Sequence, residues 1–284
     1  MIKDLIVNLP VAGGRNLPVA GGRDVAGPYA ISIAETFGAH AAGVAFAHEP
    51  VIPPTITGTV PASFIEDQRT ENEKAAADAR ARFDEAARRA GVSFESWSTS
   101  ASVPGSADHF GAMARRFDLS VVAQAEPDKF SPEEVIIEGA LFGSGRPVVV
   151  VPYIQKSGVK LGRVMIAWDA SRAAARAVGD AMPLLARAGA IDVVIVANER
   201  PKSDEIPGAD IGHHLARRGL KVEVKRIVAT DIDVASALLS HAADTAADFM
   251  VMGGYGHSRL REFILGGVTR GILKAVTIPT LMSH

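Results

Sequence analysis

The order of apolar and helix-forming segments along the chain is the feature that most constrains its fold. In the second half, short apolar segments alternate with helical patterns, and the half ends on an apolar segment. The first half has the same order. This alternation is typical of parallel sheets with helices on both faces, because a helix makes each crossover between parallel strands. We therefore expect an α/β fold with five parallel strands in each half.

The strand-like segments are rich in Val, Ile, Leu and Ala, as parallel strands covered on both faces require. One of them, Lys221–Val228, alternates and predicts an edge strand with one solvated face. The predicted strands are Leu5–Leu9, Ala42–Ala47, Ser93–Thr99, Leu119–Ala123, Val148–Val151, Val164–Trp168, Asp192–Ala197, Lys221–Val228, Phe249–Met252 and Thr280–Ser283. The predicted helices are Gly27–Phe37, Ala62–Ala90, Ala107–Phe117, Pro132–Leu141, Ser171–Ala188, Ile211–Arg218, Val234–Ala247 and Val268–Ala275.

The two halves resemble each other locally, which indicates an internal duplication that has diverged. The segment "FGAHAAGVAFAHE" stands in the first half where "AGAIDVVIVANER" stands in the second. A polar, glycine-containing segment, "YIQKSGVKLG" (Tyr153–Gly162), separates the two patterns and is typical of a linker. We therefore predict one domain at residues 1–153 and a second at residues 162–284.

Charge and cysteine content exclude several kinds of partner and chemistry. The formal net charge is −2 in 284 residues, which gives no electrostatic attraction to nucleic acid or to an anionic membrane. The chain has no cysteine, so disulfides and thiolate catalysis are excluded and a reducing compartment is favoured. No run approaches the roughly 18 apolar residues of a membrane span, and the first residues are not typical of a signal peptide. We expect a soluble cytoplasmic protein.

The segment "VMGGYGHSRLREFILGGVTRGIL" (Val251–Leu273) carries two clusters of glycine. One cluster, Gly253–Gly256, follows a predicted strand, and the other, Gly266–Gly267, precedes a predicted helix. Only glycine lets backbone amides approach a ligand with no side chain between them. Together with the positive end of a helix dipole, such amides form a site suited to phosphate.

A second candidate element, "WDAS" (Trp168–Ser171), follows the first strand of the second half. A carboxylate at this point lies in the crevice above the carboxyl ends of the strands, where open α/β sheets bind ligands. Asp169 can accept hydrogen bonds from ribose hydroxyls or anchor the loop. In the alternative, Asp169 is only the cap of the following helix.

These residues resemble the nucleotide motif of the universal stress protein family: Gly, two residues, Gly, nine residues, Gly, then Ser or Thr. Gly253, Gly256 and Gly266 match its three glycines, and Asp169–Ser171 matches the family's Asp-x-Ser after the first strand. Both halves fit the family's five-strand plan, so the chain resembles a tandem two-domain member over nearly its whole length. The resemblance implies two Rossmann-like domains of the adenine nucleotide alpha hydrolase type.

The resemblance also implies where an adenine nucleotide, ATP or AMP, would bind. Asp169 would lie beside the ribose and base, the backbone of Ala197 or Asn198 at the adenine edge, and the glycine segment at the phosphates. A Mg²⁺ ion could accompany ATP through its phosphates, although the sequence indicates no protein ligand for it. The implied nucleotide-binding residues are Trp168, Asp169, Ala170, Ser171, Ala197, Asn198, Met252, Gly253, Gly256, His257, Gly266, Gly267, Val268 and Thr269.

One position departs from the family motif. Gly267 stands where the family has Ser or Thr, so a hydroxyl hydrogen bond to phosphate, worth about 1.5–3 kcal/mol, is missing. Thr269 either substitutes for it in part or is an ordinary residue of the first helical turn. His257 either contacts phosphate or bonds only within its own loop. No catalytic residue and no metal-ligand spacing stands out.

The first half lacks the equivalent residues. No Asp-x-Ser follows its first strand, and "AQAEPDKFSPEE" (Ala123–Glu134) contains acids but no glycine. The repeat "NLPVAGGRNLPVAGGR" (Asn8–Arg23) follows that strand, but neither copy leads into the Gly-Lys-Ser/Thr of a P-loop. Lengthening a loop costs only about 0.6 kcal/mol per doubling, so we predict that the extra copy bulges into solvent and is mobile.

From these features we expect an adenine nucleotide-binding stress-response regulator without strong catalysis. The first half would be a structural or partner-binding module. We expect a homodimer, or a pairing of the two halves through their last strands, because apolar edges of this kind rarely stay uncovered. Two alternatives stay open: a slow ATP hydrolase, and an adaptor that binds no nucleotide.

Overall fold

A computed structural model describes residues 1–11, 24–49, 61–125, 131–197, 209–229, 232–254 and 267–284. The chain divides into two compact units, Met1–Arg146 and Pro147–His284. This division falls before the expected linker at 153–162, so the strand Val148–Val151 belongs to the second unit. The family-type boundaries at 1–153 and 162–284 stay a prediction.

The first unit holds four parallel strands in the order β3-β2-β1-β4. β1, β2 and β4 are almost wholly buried, which explains why they consist of Val, Ile, Leu, Ala and Phe with few polar residues. The strands are β1 (Asp4–Leu9), β2 (His40–His48), β3 (Phe94–Ala101) and β4 (Leu119–Ala123). The helices are α1 (Ala26–Phe37), α2 (Ala62–Ala90), α3 (Val103–Ala114) and α4 (Pro132–Gly143).

The second unit holds six strands in the order β5-β10-β9-β6-β7-β8. All neighbours pair in parallel except β5, which lies antiparallel against β10. The strands are β5 (Val148–Val151), β6 (Arg163–Ala167), β7 (Ala190–Ala197), β8 (Val222–Val228), β9 (Phe249–Gly253) and β10 (Thr280–Ser283). The helices are α5 (Arg172–Leu185), α6 (Ala209–Ala216), α7 (Val234–Asp244) and α8 (Gly267–Ala275).

The predicted α/β class, with mostly parallel sheets flanked by helices, is confirmed. The difference lies in β5, whose four valines are fully buried and pair with the last strand of the chain. An apolar run predicts a buried strand but not its direction or its neighbour, so the sequence assigned β5 to the first half as a fifth parallel strand. Lys221–Val228 was predicted as an edge strand with one wet face, and β8 pairs with β7 alone among the described strands.

The order of the strands in the second unit determines where the crevice above their carboxyl ends lies. The chain runs from β6 to β7 and β8 on one side, and then crosses to β9 and β10 on the other. The carboxyl ends of β6 and β9 therefore form the switch point at which open parallel sheets bind ligands. Both strands are rigid and buried, with Val164, Met165 and Ile166 on β6 and Val251 on β9 fully inaccessible. None of the helices in the described ranges has the length and apolarity to span a membrane.

One helix begins earlier than predicted. The sequence pattern predicted Ala107–Phe117, but α3 starts at Val103, because Ser102 Oγ accepts a hydrogen bond from the backbone N–H of Gly105 at 3.2 Å. Pro104 then occupies the first turn, where its missing N–H is not needed. The Pro-Gly pair at 104–105 therefore belongs to the helix start that Ser102 caps.

In the first unit, α3 and α4 contact each other through backbone atoms at glycines. A Cβ atom on Gly111 would lie 2.5 Å from the Gly139 carbonyl oxygen, and a Cβ on Gly139 would overlap the Ala107 carbonyl. A Cβ on Gly143, at the end of α4, would meet only Gly111 Cα at 3.5 Å, an ordinary contact. The close approach of the two helices therefore depends on Gly111 and Gly139 and not on Gly143.

We expect Gly139→Ala to destabilise the protein, because the added methyl group must push α3 and α4 apart, an overpacking effect of about 1–3 kcal/mol. Gly143→Ala is the matched control and is expected to leave stability unchanged or slightly raised, since alanine favours helix. Urea unfolding of the two variants and the wild type measures both effects. Equal stability of the two variants would contradict the close contact.

Candidate functional site

The Asp-x-Ser segment forms a tight turn between β6 and α5. The Trp168 N–H donates to the Val194 carbonyl at 2.9 Å, and Asp169 Oδ1 accepts from the Ser171 N–H at 2.9 Å. Ser171 is the N-cap of α5, with its Oγ accepting from the Ala174 N–H at 3.1 Å. Ala170 between them has a left-handed backbone with φ of 60°. The turn therefore holds the exposed Asp169 carboxylate just ahead of the helix.

This geometry bears on the alternative that Asp169 is only a helix cap. Ser171 supplies the cap, and Asp169 uses one oxygen to hold the turn. Among the contacts of the described residues, its second oxygen, Oδ2, has no partner. An exposed carboxylate oxygen at the switch point can accept a hydrogen bond from a ligand hydroxyl.

Gly253, at the end of β9, lies directly against the first turn of α5. A Cβ atom on Gly253 would lie 2.5 Å from the Ala174 backbone nitrogen and 2.7 Å from the Ala173 carbonyl carbon. The sequence predicted that this glycine lets a ligand approach the backbone. The structure adds a packing reason for a glycine at this position. The contact brings the two candidate elements, the Asp169 turn and the start of the glycine segment, to one place.

Gly254 is hydrogen-bonded by Ser283, the last residue of β10, and by His284, which follows it. Its N–H donates to the Ser283 carbonyl at 2.8 Å, and His284 Nδ1 lies 3.1 Å from its carbonyl oxygen. Sequence reasoning missed His284, because nothing local connects it with a loop 30 residues away. The available signal was its position directly after the last strand, at the same edge of the sheet as the end of β9.

The remaining described candidates lie around this edge. Ala197 ends β7, and its carbonyl already accepts from the Ala229 N–H at 3.0 Å, which extends the ladder to β8. Met252 is buried at 4% exposure. The predicted residues Asn198, Gly256, His257 and Gly266 lie outside the described residues.

The start of α8 distinguishes the three candidates at 267–269. A Cβ atom on Gly267 would meet no atom of the described residues within 4 Å. Val268 is exposed, whereas Thr269 is buried at 4% exposure. Burial of Thr269 favours its role as an ordinary first-turn residue over that of a substitute phosphate ligand.

The start of α7, at the same edge, already carries an acidic side chain. Asp233 is the N-cap of α7, and it accepts from the Ser236 N–H at 3.0 Å and from Ser236 Oγ at 2.5 Å. The hydrogen bond from the Ser236 hydroxyl, followed by that from its N–H, lowers the pKa of the Asp233 carboxyl. A second anion is therefore not favoured at the start of α7.

The equivalent edge of the first unit is built differently. Asp24 accepts from the Gly27 N–H at 2.9 Å at the start of α1, and burial raises the pKa of the Asp24 carboxyl. His48, at the end of β2, has Nε2 3.4 Å from Ser106 Oγ, and its carbonyl accepts from Asn72 Nδ2 at 2.7 Å. These bonds connect β2 with α2 and α3 and offer no grouping for an anion.

Two further sequence predictions concern this first unit and metal binding. The extra copy of the repeat was predicted to bulge into solvent, and residues 12–23 lie outside the described residues. In the described ranges, no three acidic or histidine side chains are grouped as a metal site requires.

The second unit is similar to known proteins. Residues 160–284 match the model of the universal stress protein family. Over 67 residues, the chain is 34% identical to the universal stress protein Slr1230 of Synechocystis; the match covers 24% of this chain and 22% of that protein. The aligned segment thus spans about a fifth of the curated relative.

Solved structures show the same fold. A universal stress protein from Archaeoglobus fulgidus matches 98% of this chain and 95% of its own, with a TM-score of 0.66 and 15% identity. A universal stress protein crystallised in complex with cAMP matches 43% of this chain and 96% of its own, with a TM-score of 0.34 and 19% identity. The first likeness shows the fold alone, and the second carries no argument about the ligand of this chain.

The buried histidine of the first unit predicts a pH-dependent loss of stability. Burial lowers the pKa of the His48 imidazole from 6.5 to about 4. As the pH falls from 6.5 to 4, the unfolded chain takes up a proton at His48 that the folded protein does not. The free energy of unfolding then falls by about 3 kcal/mol through this group.

The variant His48→Gln removes that proton uptake. We expect its free energy of unfolding, measured by urea at pH 7 and at pH 4, to fall less over this interval than that of the wild type. Carboxylates that titrate in the same range contribute equally to both proteins, so the difference isolates His48. Parallel pH profiles for the two proteins would show that His48 is protonated in the folded state.

Proposed function

We propose that this chain is a regulator whose second unit binds an adenine nucleotide, ATP or AMP, as expected for the universal stress protein family whose model residues 160–284 match. The observation that carries the proposal is the contact of Gly253 with the first turn of α5. It joins the Asp169 turn and the glycine segment at the switch point of the sheet. Asp169 and Gly253, the first residues of the two parts of the family motif, thus lie where an α/β sheet binds ligands.

The two parts would hold different parts of the nucleotide. Asp169 Oδ2 is placed to accept from ribose hydroxyls, since Oδ1 is held by the Ser171 N–H. The amides of the glycine segment, with Gly256, His257 and Gly266 from the sequence motif, would hold the phosphates. The start of α8 at Gly267 adds the positive end of a helix dipole.

The adenine would lie towards β7. The Ala197 carbonyl is engaged with Ala229 but keeps a second lone pair, so it can still accept a hydrogen bond from an amino group. Trp168, half-buried beside the turn, offers an aromatic surface at the same edge. A Mg²⁺ ion would be held through the phosphates rather than by side chains.

We propose regulation rather than catalysis for this site. The carboxylate at the switch point, Asp169, is exposed and fixed in its turn. Ligand-dependent contacts with protein partners, or between copies of the chain, are the proposed output.

A second candidate function is an adaptor that binds no nucleotide. The observation that favours it is the start of α8, where Gly267 has no hydroxyl and Thr269 is buried. The hydroxyl that the family motif directs at phosphate therefore has no substitute at these two positions. Retained nucleotide distinguishes the two functions.

The first test is the nucleotide content of the purified protein. We expect heat-denatured wild type to release about one adenine nucleotide per chain, identified by chromatography, and Gly256→Val to release none, because a branched side chain blocks the phosphate amides. Gly179→Val, on α5 where an added Cβ meets nothing within 4 Å, is the matched control. No nucleotide in any of the three, together with no thermal shift on adding ATP, favours the adaptor.

The position that departs from the motif gives a gain-of-function test. Gly267→Ser restores the hydroxyl, and its Cβ would meet no atom of the described residues within 4 Å. We expect ATP to bind at least about tenfold more tightly, because a hydrogen bond to a charged group contributes roughly 1.5–3 kcal/mol. Titration calorimetry measures the change, and Gly267→Ala controls for the added Cβ. Equal affinities of the serine and alanine variants would place the hydroxyl away from phosphate.

A further inference from the structure

We propose that His284 is a positioning residue of the nucleotide site, because its ring N–H fixes the backbone of Gly254 at the point where the glycine segment leaves β9. The inference concerns how tightly the proposed site binds its ligand, and this part of it rests on the proposed function. Its effect on the backbone of Gly254 does not depend on any ligand.

Gly254 is held through both of the peptide groups that flank its Cα atom. Its N–H donates to the Ser283 carbonyl at 2.8 Å, and its carbonyl oxygen lies 3.1 Å from His284 Nδ1. A carbonyl oxygen can only accept a hydrogen bond, so Nδ1 must carry the hydrogen. The neutral Nδ1–H tautomer and the imidazolium ion both meet this requirement.

The hydrogen bonds that hold Gly254, called here its anchor, continue into α5. Ser283, exposed at only 2%, donates from Oγ to Asp180 Oδ2 at 2.9 Å. The same carboxylate oxygen accepts from Arg176 Nε at 2.9 Å. Arg176 and Asp180 lie on the helix whose first turn follows Asp169 and contacts Gly253. Both parts of the proposed site are therefore positioned relative to a single helix.

This arrangement reduces the conformational freedom of the backbone at Gly254, directly after β9. Glycine restricts the backbone least of all residues, so Gly254 loses much conformational entropy when its backbone is fixed for binding. A donor that already fixes Gly254 lowers the entropy lost on binding and so strengthens binding without touching the ligand. Removal of the donor is expected to weaken ATP binding about threefold to tenfold, the effect of one neutral hydrogen bond.

Two substitutions of similar size separate the donor from the bulk of the ring. His284→Asn keeps an N–H donor close to the position of Nδ1, and His284→Leu has no donor. Neither adds a charge near the phosphates. ATP affinity is measured by titration calorimetry, and exchange of the Gly254 amide is measured by NMR without nucleotide. Thermal unfolding of the ligand-free proteins reports whether each variant is folded.

We expect the leucine variant to bind ATP threefold to tenfold more weakly and to exchange the Gly254 amide faster, with the asparagine variant close to wild type in both. Equal behaviour of wild type and the leucine variant would overturn the inference. Equal weakening in both variants would overturn it too, because the ring itself would then matter rather than its donor.

The exchange measurement keeps this inference separate from the proposed function. If wild type binds no ATP while exchange still differs between the two variants, the proposed function fails and the anchor of Gly254 stands. If wild type binds ATP while exchange and affinity match in the two variants, the proposed function stands and the role of His284 fails.

Discussion

The candidate site depends on the contact between the end of β9 and the first turn of α5. Gly253 has no side chain, so its backbone lies where a Cβ would be 2.5 Å from the Ala174 nitrogen. Any larger residue would displace the helix start and, with it, the Ser171 cap and the Asp169 turn. The same contact fixes where the glycine segment begins. The geometry of the site thus follows from a packing requirement inside the protein, before any ligand is considered.

Much of this architecture could be predicted from the sequence, because it depends on local patterns. The bounds of α2 match the prediction, since strong helix formers fill it and Gly91 ends it in the left-handed conformation, with φ of 68°. The buried strands were recognisable from their apolar runs. The turn at Asp169–Ser171 was recognisable as a candidate because a carboxylate and a hydroxyl follow a buried strand.

The features that could not be predicted depend on contacts between distant residues. His284 reaches Gly254, and β5 pairs with β10, only because the sheet brings the ends of these segments together. The packing role of Gly253 has the same origin, since a glycine needed for helix contact looks no different in sequence from one needed for phosphate. Burial of Thr269 likewise depends on how α8 packs within the second unit.

The helix starts at the carboxyl edge of the strands differ in what they offer to an anion. Parallel α/β sheets place helix starts at this edge, and each start needs hydrogen-bond acceptors for its N–H groups. The protein supplies a carboxylate at α1 with Asp24 and at α7 with Asp233, and a neutral hydroxyl at α5 with Ser171. Because an internal carboxylate occupies the positive end of a helix dipole as a phosphate would, Asp24 and Asp233 disfavour a bound anion at α1 and α7, whereas the neutral cap of α5 does not.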